Sequence, residues 1–217
     1  MILTLLKATP VIGPALIRAR ARYRRVRGSH ELKNALLKSE ARKRIVLGAA
    51  GVCDTDWIPS DIEYLDMLKQ SDWDRFFTPG SIDAMLAEHV WEHLTSDQGA
   101  IAAANCFKYL RPGGYLRVAV PDGLHPSPIY REWVRVGGSG PGADDHKILH
   151  TYRTFSALFE QAGFQCKLLE YFDENGNFHE CEWSLADGRI VRSKHLDERN
   201  HNGALNYTSI ILDASKS

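Results

Sequence analysis

The sequence predicts an α/β fold built on an open, mostly parallel sheet. Three apolar runs, at residues 45–47, 82–87 and 114–120, each end in glycine or polar residues, and helical segments lie between or beside them. The carboxyl ends of parallel strands meet at one edge of such a sheet, and α/β proteins bind their ligands there. We therefore expect the residues that follow these three strands to contribute to one site.

The length and charge of the chain indicate one domain with an acidic body. The 217 residues are enough for a full hydrophobic core. The formal net charge is zero, but residues 1–44 hold 12 Lys and Arg against 2 Asp and Glu, whereas residues 45–217 hold 15 against 25. Because the body carries excess negative charge, we expect it to have no nucleic-acid partner.

Residues 1–28 are predicted to form a basic, amphipathic N-terminal arm ahead of a domain at residues 29–217. Six arginines crowd into residues 18–27 after an apolar start. Such a segment is typical of an arm that contacts anionic lipid or nucleic acid, but also of a helix packed on the acidic body or of a disordered tail. Lys7 and two prolines interrupt the apolar start, so it predicts neither a membrane span nor a signal peptide.

The first part of the domain has an unusually short crossover. A helix is expected over residues 30–41 with Ser29 as its N-cap, followed by strands over residues 44–47 and 57–62. The link between these strands has only nine residues. A parallel crossover that contains a full helix needs about 10–12 residues or more, so we expect the first crossover helix to be missing or reduced to a turn.

The later elements alternate between helix and strand. Thr95 or Ser96 is the expected N-cap of the second clear helix, and the sequence Asp-Glu-Asn-Gly-Asn at residues 173–177 predicts a hairpin turn. The glycine- and proline-rich residues 137–142 are a candidate lid. The remaining expected elements are helices at 67–76, 97–110 and 154–162, and strands at 164–172, 178–185 and 206–212.

The cysteine pattern favours a reduced protein. Four widely spaced cysteines include no C-x-x-C pair. We therefore expect a cytoplasmic protein without a thiolate zinc site.

The order and spacing of five segments resemble class I S-adenosylmethionine-dependent methyltransferases. The segments are IVLGAAG, SDI, SIDAMLAEHVWEHL, LRPGGYLRVAVPDG, and a strand led by AGF with a late antiparallel partner. The resemblance runs from about residue 44 to the end of the chain. It implies a Rossmann-like, doubly wound, mostly parallel seven-stranded sheet with an antiparallel last strand, and S-adenosylmethionine as the cofactor.

The same resemblance implies a set of cofactor-binding residues. The glycine loop after the first strand would lie under the methionine part of the cofactor, and Asp61 would accept hydrogen bonds from the ribose hydroxyls. The family's common loop is G-x-G-x-G, and its middle glycine is absent here. The implied residues are Gly48, Ala49, Ala50, Gly51, Asp61, Leu65, Asp66, Ala87 and Glu88.

The expected reaction is methyl transfer to an oxygen or nitrogen of a small polar acceptor, with a saccharide or a membrane-associated intermediate as candidates. The sulfonium already makes the methyl group electrophilic, so the protein has to align the acceptor and remove one proton. His89 or His146 is the predicted base, and Glu88 is predicted to orient it.

Two other functions are open at this point. The string HVWEH fits the zinc-peptidase pattern H-x-x-E-H, which needs His89 and His93 on one helix face and Glu92 as base. The string begins where a buried strand ends, so we expect His89 in the turn and expect no metal. The second alternative is a non-catalytic methyltransferase-like binding module tethered by its basic N-terminus, which would bind no cofactor.

Overall fold

A seven-stranded mixed sheet forms the centre of the computed structural model, which describes residues 12–39, 42–50, 53–201 and 203–217. The strands are β1 (Arg44–Val46), β2 (Ile58–Pro59), β3 (Ile82–Glu88), β4 (Leu110–Pro121), β5 (Gln165–Phe172), β6 (Phe178–Glu180) and β7 (Ser209–Ser215). Their order in the sheet is β2-β1-β3-β4-β7-β5-β6.

The pairing of the strands confirms the predicted fold class. β2, β1, β3 and β4 are parallel to one another. The last strand, β7, runs antiparallel between β4 and β5, as predicted. The predicted hairpin at residues 173–177 is also present, and it makes β6 a second antiparallel strand at the edge of the sheet.

Five α-helices within the described residues accompany the sheet. Two of these helices begin with capping boxes, one formed by Thr95 and Gln98 and the other by Thr151 and Thr154. In each box the side chain of either residue accepts a hydrogen bond from the backbone N–H of the other. The fourth helix was not predicted from the sequence, although Ser127 caps it and Pro128 is its first residue. The helices are α1 (Ile12–Lys38), α2 (Gln70–Asp74), α3 (Ser96–Tyr109), α4 (Pro128–Val134) and α5 (Tyr152–Gln161).

Alternate residues of β3 pack into two different apolar clusters. Met85 and Ala87 belong to the main core, which also contains residues of α3 and α5. Ala84 and Leu86 belong to a second cluster with Trp57. Because successive side chains of a strand point to opposite faces, the two clusters lie on the two sides of the sheet.

An irregular segment near the C-terminus, residues 181–190, covers the second face of the sheet. Cys181, Trp183 and Ile190 pack in the second cluster. Arg117 of β4, which is 1% exposed, fixes this segment by donating hydrogen bonds to the carbonyl oxygens of Ser184 and Gly188.

The first crossover is short, as predicted. Among the described residues between β1 and β2, at 47–50 and 53–57, the chain forms turns and contains no helix. β2 has two residues, whereas a strand over 57–62 was predicted. β2 ends earlier than predicted because the residues from Asp61 onward form a turn. In this turn the carbonyl oxygen of Asp61 accepts hydrogen bonds from the N–H groups of Tyr64 and Leu65.

The prediction of a helix start at Ser29 is wrong. α1 is one continuous helix over Ile12–Lys38 and crosses the predicted boundary between residues 28 and 29. Its end packs on the body because Leu32 is buried in the main core. Residues 16–27 are exposed. Basic and apolar residues share one face of this part of α1, since Arg20 lies one helical turn from Leu16. Residues 1–11 of the predicted arm lie outside the described residues.

None of the described helices is long and apolar enough to cross a membrane. All four cysteines are free thiols.

Candidate active site

The loop after β1 and the residues after β2 lie side by side at one edge of the sheet. The N–H of Ala49 donates a hydrogen bond to the carbonyl oxygen of Ser60 at 2.9 Å. The N–H of Ser60 donates in turn to the carbonyl oxygen of Val46 at 2.8 Å. These two bonds continue the β1–β2 pairing beyond the strands and bring Asp61 next to the glycine loop.

The residues after β3 complete the same edge. Gly48 has a φ of +67°, and a Cβ atom built on it would lie 2.9 Å from Cγ2 of Val90. Glycine is therefore required at this position both for the backbone conformation and for the close approach of the two loops. As expected for parallel strands, the carboxyl ends of β1, β2 and β3 form one continuous surface.

Asp61 has a carboxylate oxygen available for a ligand. Its Oδ1 accepts a hydrogen bond from the N–H of Ile62 at 2.8 Å, and the residue is half-buried. Within the described part of the chain, Asp61 forms no ion pair, so Oδ2 can accept hydrogen bonds from a polar ligand such as a diol.

Two other predicted cofactor residues are less available. The side chain of Leu65 is 2% exposed and packs in the main core, so it has no surface for a ligand and only its backbone could make a contact. The carboxylate of Asp66 is held by Lys69 at 2.7 Å and by the N–H of Leu68 at 3.0 Å.

The prediction that Glu88 orients the base is wrong. Both oxygens of its carboxylate bind the segment before β7, where they accept hydrogen bonds from the N–H groups of Val191 at 3.0 Å and Arg192 at 2.7 Å. The guanidinium of Arg192 pairs with the same carboxylate at 3.3 Å. Glu88 therefore fixes this segment over the end of β3. Its neighbour Ala87 is 1% exposed and packs in the core.

The alanines of the glycine loop differ in backbone conformation. Ala50 has a φ of +48°, in the left-handed region that favours glycine. It occupies the position of the missing middle glycine of G-x-G-x-G, and an alanine in this conformation is strained. Gly51, the last predicted residue of this loop, lies outside the described residues.

A cavity of about 240 Å³ opens beside the end of β3 and contains both predicted base candidates, His89 and His146. Ligand pockets usually have volumes of about 300–1,000 Å³, so this cavity suits a small molecule. Its lining residues are His89, Glu92, His93, Trp133, Val134, Pro141, Ala143, His146, Arg192, Arg199 and Tyr207. The predicted lid contributes Pro141 to this wall.

His89 lies in the turn after β3, as predicted, with a φ of +55°. Its Nε2 is 2.9 Å from the hydroxyl of Ser209, and its Nδ1 is 3.2 Å from Oε1 of Glu92. Burial, together with the positive charges of Arg192 and other nearby groups, lowers the pKa of His89 well below its ordinary value. The imidazole is therefore neutral at neutral pH, the form that can accept a proton.

Glu92 carries a buried carboxylate with no hydrogen-bond partner among the described residues, although Nδ1 of His89 lies 3.2 Å from its Oε1. The residue is 1% exposed. Burial in a low-dielectric environment disfavours the charged form and raises the pKa of Glu92 to about 8.

His146 reaches the same cavity from a distant part of the sequence. The N–H groups of Lys147 and Ile148 donate to the carbonyl oxygen of Glu92 at 2.7 and 3.3 Å, which ties the chain after the glycine-rich loop to the turn after β3. Nδ1 of His146 lies 2.7 Å from the carbonyl oxygen of Val134. A carbonyl can only accept, so Nδ1 carries the proton and Nε2 has a free lone pair. Burial lowers the pKa of His146.

Three polar residues of the cavity wall were not predicted from the sequence. Arg192, Arg199 and Tyr207 come from the segment between β6 and β7, and the guanidinium carbon of Arg199 lies 3.4 Å from the centre of the Tyr207 ring. This segment has no regular periodicity that would have indicated where it packs.

Comparisons with solved structures identify the fold. A SAM-dependent methyltransferase from Archaeoglobus fulgidus is similar over 93% of this chain and 94% of its own, with 15% identity and a TM-score of 0.51. A SAM-dependent methyltransferase from Thermotoga maritima is similar over 94% and 97%, with 13% identity and a TM-score of 0.48. No protein-family model matches the chain, and no curated protein matches it by sequence.

The chain therefore has the Rossmann-like fold of class I S-adenosylmethionine-dependent methyltransferases. Fold alone does not determine activity, because one fold hosts many unrelated functions.

Proposed function

We propose that this protein binds S-adenosylmethionine at the edge formed by Gly48, Ala49 and Asp61. The hydrogen bond from the N–H of Ala49 to the carbonyl oxygen of Ser60 supports this proposal, because it places the glycine loop beside the carboxylate of Asp61. The residues fit this cofactor, because the loop offers backbone close to the ligand and Oδ2 of Asp61 can accept from two vicinal hydroxyls.

We further propose that the protein is a methyltransferase with an acceptor in the neighbouring cavity. S-adenosylmethionine supplies an electrophilic methyl group when bound. The cavity holds a small polar acceptor, and His89 accepts the proton that its oxygen or nitrogen loses. The hydroxyl of Ser209 and the carboxylate of Glu92 flank the His89 ring on either side. A saccharide or a membrane-associated intermediate is the candidate acceptor.

Titration calorimetry with S-adenosylhomocysteine tests the cofactor site. Wild-type protein should bind one equivalent, and Asp61→Ala should weaken binding at least tenfold, since a hydrogen bond to a charged group contributes about 1.5–3 kcal/mol. Asp97→Ala removes an exposed carboxylate at the start of α3 and should leave affinity unchanged. Absence of binding to the wild-type protein would instead support the non-catalytic binding module.

A second experiment tests the role of His89. Release of S-adenosylhomocysteine is followed over a panel of saccharide and lipid-linked acceptors, and His89→Ala is compared with the wild type on the active compound. We expect turnover to fall at least a hundredfold, the contribution of a typical general base, with cofactor affinity within about threefold of the wild type. An equal loss of both would show a structural role.

We also propose that the exposed half of α1 attaches the protein to anionic lipid at the cytoplasmic face of a membrane. Arg24, Arg25 and Arg27 form ion pairs within the protein, whereas the described residues include no ion-pair partner for Arg18 or Arg20. Because apolar and basic residues share one helix face, attraction to lipid headgroups, and not deep insertion, would supply most of the affinity.

Co-sedimentation with vesicles tests this attachment. Each Lys or Arg near an anionic surface contributes about 1 kcal/mol, so replacing Arg18, Arg20 and Arg22 together with alanine should weaken binding to phosphatidylserine vesicles about a hundredfold. Neutral phosphatidylcholine vesicles should bind neither protein. Equal binding of both proteins to the anionic vesicles would rule out the attachment.

A further inference from the structure

Three side chains in the cavity have the chemistry of a transition-metal site. One ligand atom from each of Glu92, His93 and His146 can be chosen so that all three lie within 4.8 Å of one another. Two imidazoles and one carboxylate are a ligand set that suits zinc and the neighbouring first-row divalent ions. The ring centres of the two histidines are 4.9 Å apart.

The state of Glu92 indicates that a cation belongs there. Its carboxylate is almost fully buried, lines the cavity and accepts no hydrogen bond from the described residues. An ionised carboxylate in such a place is unfavourable unless it is paired with a positive charge or binds a metal.

Each of the two histidines has a ring nitrogen without a hydrogen-bond partner among the described residues. The hydrogen bond from Nδ1 of His146 to Val134 fixes the ring and leaves Nε2 as a ligand, an arrangement that commonly orients metal-binding imidazoles. Nδ1 of His93 has no hydrogen-bond partner among the described residues, although Oδ2 of Asp145 is 3.4 Å away. Asp145 is exposed at the cavity rim and adds negative charge.

We propose that Glu92, His93 and His146 bind a divalent transition-metal ion, for which zinc is the reference. In a tetrahedral site with bonds of about 2.0–2.1 Å, the ligand atoms are about 3.4 Å apart. Because the three ligand atoms here lie within 4.8 Å of one another, side-chain shifts of about 1 Å would bring them to bonding distance of one ion. Three protein ligands leave a fourth position, which faces the cavity and is open to an oxygen or nitrogen of a bound molecule.

This site differs from the H-x-x-E-H pattern of the sequence. That pattern would use His89 and His93 on one helix, whereas here His89 lies in a turn before the short 3-10 helix Trp91–His93. The distant His146 takes its place. The backbone bonds from Lys147 and Ile148 to Glu92 bring the ligands together, so the site is part of the fold and does not depend on methyl transfer.

Calorimetry with zinc chloride on untagged, chelator-treated protein tests the proposal, with cobalt chloride as a visible-absorption probe of the same site. We expect one equivalent of zinc, and a loss of at least a hundredfold in affinity in Glu92→Gln and His146→Ala. Cobalt should give visible bands with the wild type that both variants lack. His195→Ala, which removes an exposed imidazole, should bind like the wild type.

Glu92→Gln keeps the size of the side chain, so it decides the question if His146→Ala does not fold. Circular dichroism and the melting temperature, recorded without metal, establish that each variant is folded. Lack of stoichiometric zinc binding by the wild type would overturn the proposal. Zinc binding that persists in Glu92→Gln but disappears on alkylation of the exposed Cys53 would overturn it as well.

Discussion

Gly48 and Val90 are in such close contact that a Cβ atom at Gly48 would lie 2.9 Å from Cγ2 of Val90. The two residues follow different strands, β1 and β3, and their contact joins the glycine loop to the turn that carries His89. The edge that carries Gly48 and Asp61 is therefore linked by direct packing to the cavity that His89 lines. A change that separates these loops should affect both stability and ligand binding.

Gly48→Ala should lower the free energy of unfolding by about 2–3 kcal/mol. Of this, about 1–2 kcal/mol comes from the positive φ and the rest from the contact with Val90. Gly80→Ala is the matched control, since Gly80 has a φ of +70° with no atom within 4 Å of the added Cβ. Denaturant unfolding measures both losses. Equal losses in the two variants would show that the contact with Val90 contributes nothing.

Ala50→Gly should stabilise the protein because it relieves an alanine at a φ of +48°. We expect a gain of about 1 kcal/mol, which corresponds to a rise in melting temperature of about 2–4 °C for a domain of this size. Ala49→Gly, at a neighbouring position without positive φ, should instead lose about 0.5–1 kcal/mol. Calorimetric melting curves measure both changes. A melting temperature lower in Ala50→Gly than in the wild type would show that the backbone at Ala50 is not strained.

His150 should make stability fall in acid. Burial lowers the pKa of His150 to about 4, and neither ring nitrogen has a hydrogen-bond partner among the described residues. The ordinary value of 6.5 applies to the unfolded chain, which therefore binds more protons than the folded protein. The resulting stability is complete above pH 6.5 and is lost as the pH falls towards 4, by on the order of 3 kcal/mol.

His150→Phe isolates this effect, because the ring can still pack against Phe155. The variant should lose less stability than the wild type between pH 6.5 and 4, as measured by urea unfolding at several pH values. Above pH 7 the difference between the two proteins should not vary with pH. A difference that is constant from pH 7 to 4 would show that the pKa of His150 is not lowered.

Arg117 should hold the segment that covers the second face of the sheet. Its guanidinium pairs with both oxygens of Asp213 at 2.7 and 2.8 Å and stacks on Trp183. Arg117→Met leaves Asp213 and two carbonyl oxygens without their donor. We expect a loss of about 3 kcal/mol and proteolytic cleavage near residues 184–188.

Arg111→Met is the control for Arg117, since it breaks an ion pair with Asp83 in which the arginine side chain is 46% exposed. Surface pairs contribute about 0–1 kcal/mol, so this variant should keep wild-type protease resistance. Equal resistance of the Arg117 and Arg111 variants would mean that apolar packing alone fixes the segment.

The sequence predicted the sheet well because its strands are apolar runs with clear ends. The runs at 45–47, 82–87 and 114–120 all became strands, and their carboxyl ends meet where expected. The helix start that failed, at Ser29, had a local signal that the packing of the chain overrode. Ser29 can cap a helix, but Leu32 and Gly28 pack on the body, and the chain on both sides of Ser29 is helical.

The site was only partly predictable because distant segments assemble it. His89 and His146 were identified separately, but the bonds from Lys147 and Ile148 to Glu92 that unite them span more than fifty residues. Glu88 was assigned to the site from its position at the end of β3. Its contacts with Val191 and Arg192 depend on a segment with no periodic pattern, which sequence reasoning could not place.

A crystal structure of the protein with S-adenosylhomocysteine at saturating concentration tests directly whether Gly48, Ala49 and Asp61 form the cofactor site. We expect the ribose hydroxyls within hydrogen-bond distance of Asp61 and the amino-acid part of the ligand against the backbone of Gly48 and Ala49. A ligand ordered elsewhere on the protein, or clear density for the loop and Asp61 with none between them, would rule out this site.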